Sequence, residues 1–191
     1  MMKRDQIHIR DPFILAEKGK YYLYGSTDPN IWAGKCKGFS AYVSEDLENF
    51  SGPYEVFKRP ADFWSEEHFW APEVHYYRGK YYLFASFRSQ GEGRRCQILR
   101  AENPLGPFSP FAPPFTPGVD GQPVTLFRAS DAPWTRPTKY NDEIFGYITD
   151  GPFMYRLKNG KLVMIWSSCT DSGKYAVGMS ISEGSVKGPY R

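Results

Sequence analysis

The 191-residue chain lacks any apolar run approaching the roughly 20 residues that a membrane-crossing helix needs, and its basic start, Met1-Met2-Lys3-Arg4, is followed by no apolar leader segment. Neither a membrane span nor a secretory signal is expected, and the sequence reads as that of a cytoplasmic protein. Cysteine is scarce. Cys36, Cys96 and Cys169 are odd in number, far apart and without a CxxC pair, which argues against a disulfide framework and against a zinc cluster. Histidine is as rare: His8, His68 and His75 show no ligand spacing, so no metal site and no required cofactor are expected. Charge of one sign is missing too. With 24 basic and 21 acidic residues the net charge is +3, and no Lys/Arg block offers a nucleic acid or a membrane surface its electrostatic footprint. A neutral ligand fits this balance better.

What the chain has in abundance is aromatic residues, 17% of the total, with 18 Gly and 16 Pro, a composition of many short strands joined by tight turns. These are organised in a repeat. Ile9-Arg10-Asp11-Pro12-Phe13-Ile14-Leu15 leads through Gly19-Lys20 into Tyr21-Tyr22-Leu23-Tyr24. Trp70-Ala71-Pro72-Glu73-Val74-His75 leads through Gly79-Lys80 into Tyr81-Tyr82-Leu83-Phe84, and Asp150-Gly151-Pro152-Phe153-Met154 leads through Gly160-Lys161 into Leu162-Val163-Met164-Ile165. Each copy is a β-hairpin with a proline at its entrance, where a missing N–H does least harm, and an acid close by. Each copy closes on one tripeptide type, Gly52-Pro53-Tyr54, Gly106-Pro107-Phe108 or Gly188-Pro189-Tyr190, at 33, 27 and 28 residues beyond the turn glycine.

Two further extended segments follow each hairpin, such as Phe39 to Ser44 in the first copy and Cys96 to Ala101 in the second. Four-stranded units of about 45 residues are the sequence pattern of propeller blades. The expected architecture is therefore all-β, with antiparallel sheets over residues 9–58, 70–111 and 148–190 in a single, incomplete propeller domain spanning 1–191. Residues 109–149, dense in Pro and Gly but with no complete repeat, are expected to be the least regular part.

The Arg-Asp-Pro-Phe opening, Trp-Ala-Pro-Glu-Val, the Gly-Lys-Tyr-Tyr-Leu strands and Asp-Gly-Pro-Phe together resemble glycoside hydrolase family 43, five-bladed propeller enzymes that cleave arabinose- and xylose-containing glycosides. The likeness runs over residues 9 to about 109 and about 122 to 190. It implies that Asp11 is the general base and that Asp150 stands at the position of the acid in the family's Glu-Gly-Pro motif, one methylene shorter. Glu73, with its longer side chain, is the other candidate acid; it can equally be a strand-end carboxylate paired with Arg78 or Lys80. The family's third-blade Asp has no counterpart, and the sequence reads as lacking most of the third blade and all of the last.

Inverting hydrolysis needs a carboxylate that activates water and a carboxylic acid that protonates the leaving oxygen, roughly 6.5–9.5 Å apart. Asp11, Glu73 and Asp150 are accordingly expected to converge on one cavity lined by Trp70 and His75. Arg10 is expected beside Asp11, and Trp64, Phe69, Trp70 and Trp134, which precede blade starts, as sugar-stacking aromatics. The resemblance leaves room for a structural calcium at the axis. It implies a carbohydrate partner, and open sheet edges imply self-association or poor solubility. Two functions follow: a glycosidase acting on arabinofuranosyl or xylosyl linkages, weak or inactive with an Asp at the acid position, or a non-catalytic carbohydrate-binding fragment.

Overall fold

A computed structural model describes residues 1–28, 30–90, 93–114, 125–140 and 143–191. Among these, strands and two short 3-10 turns, Arg4–Gln6 and Ala129–Asp131, make up the regular structure. The first sheet contains β1 (Met2–Lys3), β2 (Arg10–Glu17), β3 (Lys20–Ser26), β4 (Gly38–Ser44) and β5 (Asn49–Lys58), in the order β1-β5-β4-β3-β2. The second contains β6 (Glu67–Tyr77), β7 (Lys80–Ser89), β8 (Gly93–Ala101) and β9 (Ser109–Pro110), in chain order. A small hairpin, β10 (Thr138–Tyr140) and β11 (Glu143–Gly146), precedes a third sheet of β12 (Asp150–Arg156), β13 (Leu162–Cys169) and β14 (Tyr175–Ser182).

The three expected sheets are thus present, all antiparallel, each with the strand order of a propeller blade. Two details differ from expectation. The third sheet has three strands rather than four: after β14 the chain turns, and only Ile181 and Arg191 exchange backbone hydrogen bonds, at 2.8 and 3.0 Å. The stretch 109–149 also holds the β10–β11 hairpin, which has no Gly-Lys turn and no flanking repeat to announce it.

The hairpins follow from their turns. Lys18-Gly19 have φ of 49° and 75°, and Arg78-Gly79 of 47° and 81°, the two left-handed residues of a two-residue turn whose twist matches that of the strands it joins. All three closing Gly-Pro bonds are cis. The chain divides into two compact units, residues 1–120 and 121–191. In the first unit, the facing sides of the two sheets enclose an aromatic core of Phe39, Phe57, Phe63, Phe69 and Phe87. Phe69 and Phe87 meet edge to face with centroids 4.8 Å apart. Each such ring stabilises by about 1.5–3 kcal/mol through burial, with about 0.5–1.5 kcal/mol more for each well-set aromatic pair. Two tyrosines pin the seam between the sheets: the Tyr24 hydroxyl donates to the Pro104 carbonyl, and that of Tyr81 to Glu17.

Candidate active site

The three hairpin entrances are built on one backbone. In each first strand the register slips at the entrance, between Arg10 and Phe13, between Trp70 and Glu73, and between Asp150 and Phe153, and β6 slips a second time between Glu67 and Trp70. The residue inside each bulge is left-handed: φ is 51° at Asp11, 53° at Ala71 and 55° at Gly151. A proline follows each of them. The residue before each bulge pairs with a serine on the second strand, Arg10 with Ser26, Trp70 with Ser86 and Asp150 with Ser167. Asp11, Ala71 and Gly151 are therefore the equivalent positions. Asp150 corresponds to Arg10 and Trp70, and Glu73 to Phe13 and Phe153, so the three acids occupy three different places in the motif.

At the first entrance Asp11 is exposed, and its Oδ2 accepts a 2.7 Å hydrogen bond from the Ser26 hydroxyl. Ser26 in turn accepts from the Ala71 N–H at 2.8 Å. The neighbouring Arg10 turns to Asp28, donating to its Oδ1 at 2.6 Å and to its carbonyl at 3.1 Å. The Asp28 side chain is only 4% exposed, and its Oδ2 is buried with no partner among the described residues. Arg10 is thus engaged by Asp28, an ion pair with one half-exposed member.

The second entrance has different chemistry. Glu73 Oε1 lies at hydrogen-bond distance, 2.7 Å, from His75 Nε2, and not against Arg78 or Lys80, the partners of the alternative reading. Lys80 pairs with Glu102, and Arg78 lies over the Tyr77 ring. Glu73, His75 and Tyr77 point to one face of the second sheet, where with Phe84, Ile98 and Phe111 they line an open concavity of about 570 Å³. Trp70 is stacked on His68, centroids 4.7 Å apart and planes nearly parallel, and the Arg94 guanidinium carbon lies 3.9 Å from its centroid. Arg94 and His68 are themselves 2.9 Å apart, too close to be separated by the indole, so both cover the same face of Trp70. Trp32, 70% exposed, flanks this stack edge-on to Trp70 at 5.6 Å.

At the third entrance Asp150 is exposed and accepts from the Gly151 N–H at 3.0 Å and the Tyr175 hydroxyl at 2.8 Å. Burial first, and then the bond to Asp150, push the Tyr175 hydroxyl's pKa up. Trp134 is not a free platform: it packs against Trp166 at 4.9 Å and so tightly over Gly178 that a Cβ there would meet its ring at 2.1 Å.

Of the expected sugar-stacking aromatics, one belongs to the core and another leans against it. Phe69 is 1% exposed inside the aromatic cluster, because the strand alternation that turns Trp70 outward turns Phe69 inward. Trp64 packs against the same cluster and donates from Nε1 to Gln97 at 2.7 Å. Sequence reasoning missed Ser26, Asp28, Arg94 and Trp32. For Ser26 a signal existed: a serine stands six residues after the turn lysine in each copy, at Ser26, Ser86 and Ser167. Among the described residues no three His, Cys, Asp or Glu side chains gather as a metal cage. Cys36, Cys96 and Cys169 are free thiols, and burial raises the pKa of the first two.

This arrangement has relatives. The chain matches an endo-arabinase structure from Bacteroides thetaiotaomicron with 32% identity and a TM-score of 0.84, over 99% of this chain and 81% of that one. An extracellular endo-α-(1→5)-L-arabinanase of Bacillus subtilis is 28% identical over 89 residues, 44% of this chain and only 26% of that enzyme. An exo-β-1,3-galactanase from Phanerochaete chrysosporium shares the fold at 18% identity, with a TM-score of 0.68 over 97% of this chain and 49% of its own. Residues 6–131, which carry strands β2 to β9 and the Asp11–Ser26–Ala71 link, match the family described as glycosyl hydrolases family 43, and the chain belongs to that family.

Proposed function

We propose that the protein is a glycosidase that cleaves α-1,5-linked arabinose polymers by inverting hydrolysis, with Asp11 as the general base. The observation that carries this is the state of Asp11: a solvent-facing carboxylate with one oxygen fixed by Ser26, free to take a proton from a water held at the other. The substrate class is supported by the arabinan-cleaving relatives at 32% and 28% identity. Asp150 is the proposed general acid. It stands one residue before the left-handed position, where the family's acid is expected, and its hydrogen-bonded neighbour Tyr175 holds it in place. Glu73 is assigned to substrate contact through the concavity it shares with His75 and Phe84. Arg10 keeps the first entrance in shape through Asp28, and Trp70 borders it.

The second function, carbohydrate binding without turnover, is favoured by one observation: Asp150 is shorter than Glu, and both of its oxygens already accept hydrogen bonds. A displaced proton donor costs on the order of 100-fold per ångström. The experiment is an assay on linear arabinan and on nitrophenyl arabinofuranoside and xyloside, beside Asp11→Asn. Release of arabinose oligomers with inverted anomeric configuration, abolished in Asp11→Asn, is the expected result. Binding of arabinan in calorimetry with no turnover by wild type would establish the second function in its place.

A further inference from the structure

We infer that Ser26 is the positioning residue for Asp11, and that it aims the carboxylate by tying the first sheet to the second. The inference rests on Asp11 being the base. Ser26 is 1% exposed, so water does not compete for its hydroxyl. That hydroxyl has one proton, given to Asp11 Oδ2 at 2.7 Å, and it accepts the Ala71 N–H at 2.8 Å. With both directions used, the hydroxyl rotor has one orientation and the carboxylate is held at one torsion.

The donor on the other side has its own reason to be there. Ala71 sits in a bulge, where a residue is left out of the ladder and its N–H has no strand partner. Ser26 takes up that N–H, so the base of the first sheet and the entrance of the second are two hydrogen bonds apart. The other two sheets show what is general and what is special. Ser86 and Ser167 hold the same register position as Ser26. Opposite them the left-handed residues are Ala71 and Gly151, which have no carboxylate, and Ser86 Oγ instead accepts from Arg94 at 2.9 Å. A serine here belongs to the repeat; among the three, Ser26 alone stands opposite a left-handed residue that carries a carboxylate. A small shift of the second sheet therefore reaches the base directly, and preorganisation of Asp11 depends on the seam.

The test is steady-state hydrolysis of arabinan by wild type, Ser26→Ala, Ser26→Thr, Asp11→Asn and the Ser26→Ala/Asp11→Asn pair, with amide exchange at Ala71 followed by NMR. Ser26→Ala is expected to lower kcat by about 10- to 100-fold with KM changed less than about 2-fold. Ser26→Thr, which keeps the hydroxyl, recovers most of the rate. In the Asp11→Asn background Ser26→Ala costs nothing further, since there is no base left to aim. The Ala71 amide is protected in wild type and Ser26→Thr and exchanges faster in Ser26→Ala. Full activity in Ser26→Ala while Asp11→Asn is dead would overturn this inference alone, as would an Ala71 amide still protected in Ser26→Ala. A loss that persists unchanged in the Asp11→Asn background would reduce Ser26 to a structural residue. Full activity in Asp11→Asn, or a wild type without turnover, would overturn the assignment of Asp11 and this inference with it.

Discussion

The first and second entrances share a backbone and differ in almost everything chemical. Both have a bulge, a left-handed residue near 50° and a proline, yet one offers Asp11 to solvent and the other offers Ala71, whose amide serves its neighbour. The acid of the second entrance, Glu73, is two residues on, beyond the bulge, on a sheet face with His75. The repeat therefore supplies a scaffold three times and a candidate base once. A left-handed bulge is a device for aiming one side chain out of the pleat; what stands in it decides whether the entrance is a site or a joint.

The sharpest way to break this comparison is to exchange the two residues. Asp11→Asn is expected to lower arabinan hydrolysis by about 10² to 10⁴, and adding Ala71→Asp should not restore it, because a carboxylate there stands at the entrance of a different sheet, opposite a Ser86 already engaged by Arg94. Recovery in the double variant, measured as kcat/KM, would mean that the two entrances are interchangeable. Next in size is the packing that holds them together. Phe69→Ala empties the centre of the aromatic cluster and should cost about 3–5 kcal/mol in urea unfolding, whereas substituting a sugar platform would leave stability unchanged and weaken binding. Gly178→Ala tests the third sheet in the same units: its Cβ would enter the Trp134 ring, and a loss of about 1–3 kcal/mol is expected.

A smaller effect of opposite sign is expected at Ala71, where an L-residue is held at φ 53°. Ala71→Gly relieves about 1 kcal/mol of left-handed strain and should raise the melting temperature, while the same change at Asp11 removes the carboxylate and the activity together. The smallest lies away from the site, in the turn between β4 and β5. Asp46 accepts from the backbone of Asn49 above all, then from its side chain and from the Glu48 N–H, and these bonds hold its carboxyl well below the usual carboxylate range. Its contribution is complete above the unfolded value near 3.9 and is lost as pH falls through the lower folded value. Asp46→Ala should therefore melt earlier than wild type at neutral pH, with the gap closing as the pH is taken below about 4.

Much of the fold was legible because turns and prolines are local signals. Gly19 and Gly79 announce hairpins by residue type alone, and the spacing to the closing Gly-Pro locates the units. The site was only half legible. Asp11 is readable because Pro12 places it at a strand entrance. Glu73 and Asp150 look like its counterparts until the bulge is located, and a shift of one residue along an extended chain reverses the face a side chain serves. Phe69 and Trp70 illustrate the same limit, since adjacent aromatics cannot be divided between core and mouth without knowing the register. Asp28, Arg94 and Trp32 carry no motif; their places depend on loops and on pairings between distant segments. The β10–β11 hairpin escaped for want of a Gly-Lys turn.

The order of strands has a consequence for handling the protein. The first sheet has its outer strand β5 covered by the two-residue β1, and the second ends in the two-residue β9, whose Pro110 blunts it further. In the third, β14 lies at the border of its sheet, met only at Ile181 by Arg191, with Tyr175, Val177 and Met179 all largely exposed. Concentrated solutions are expected to precipitate from this border, and Val177→Lys should raise the soluble yield.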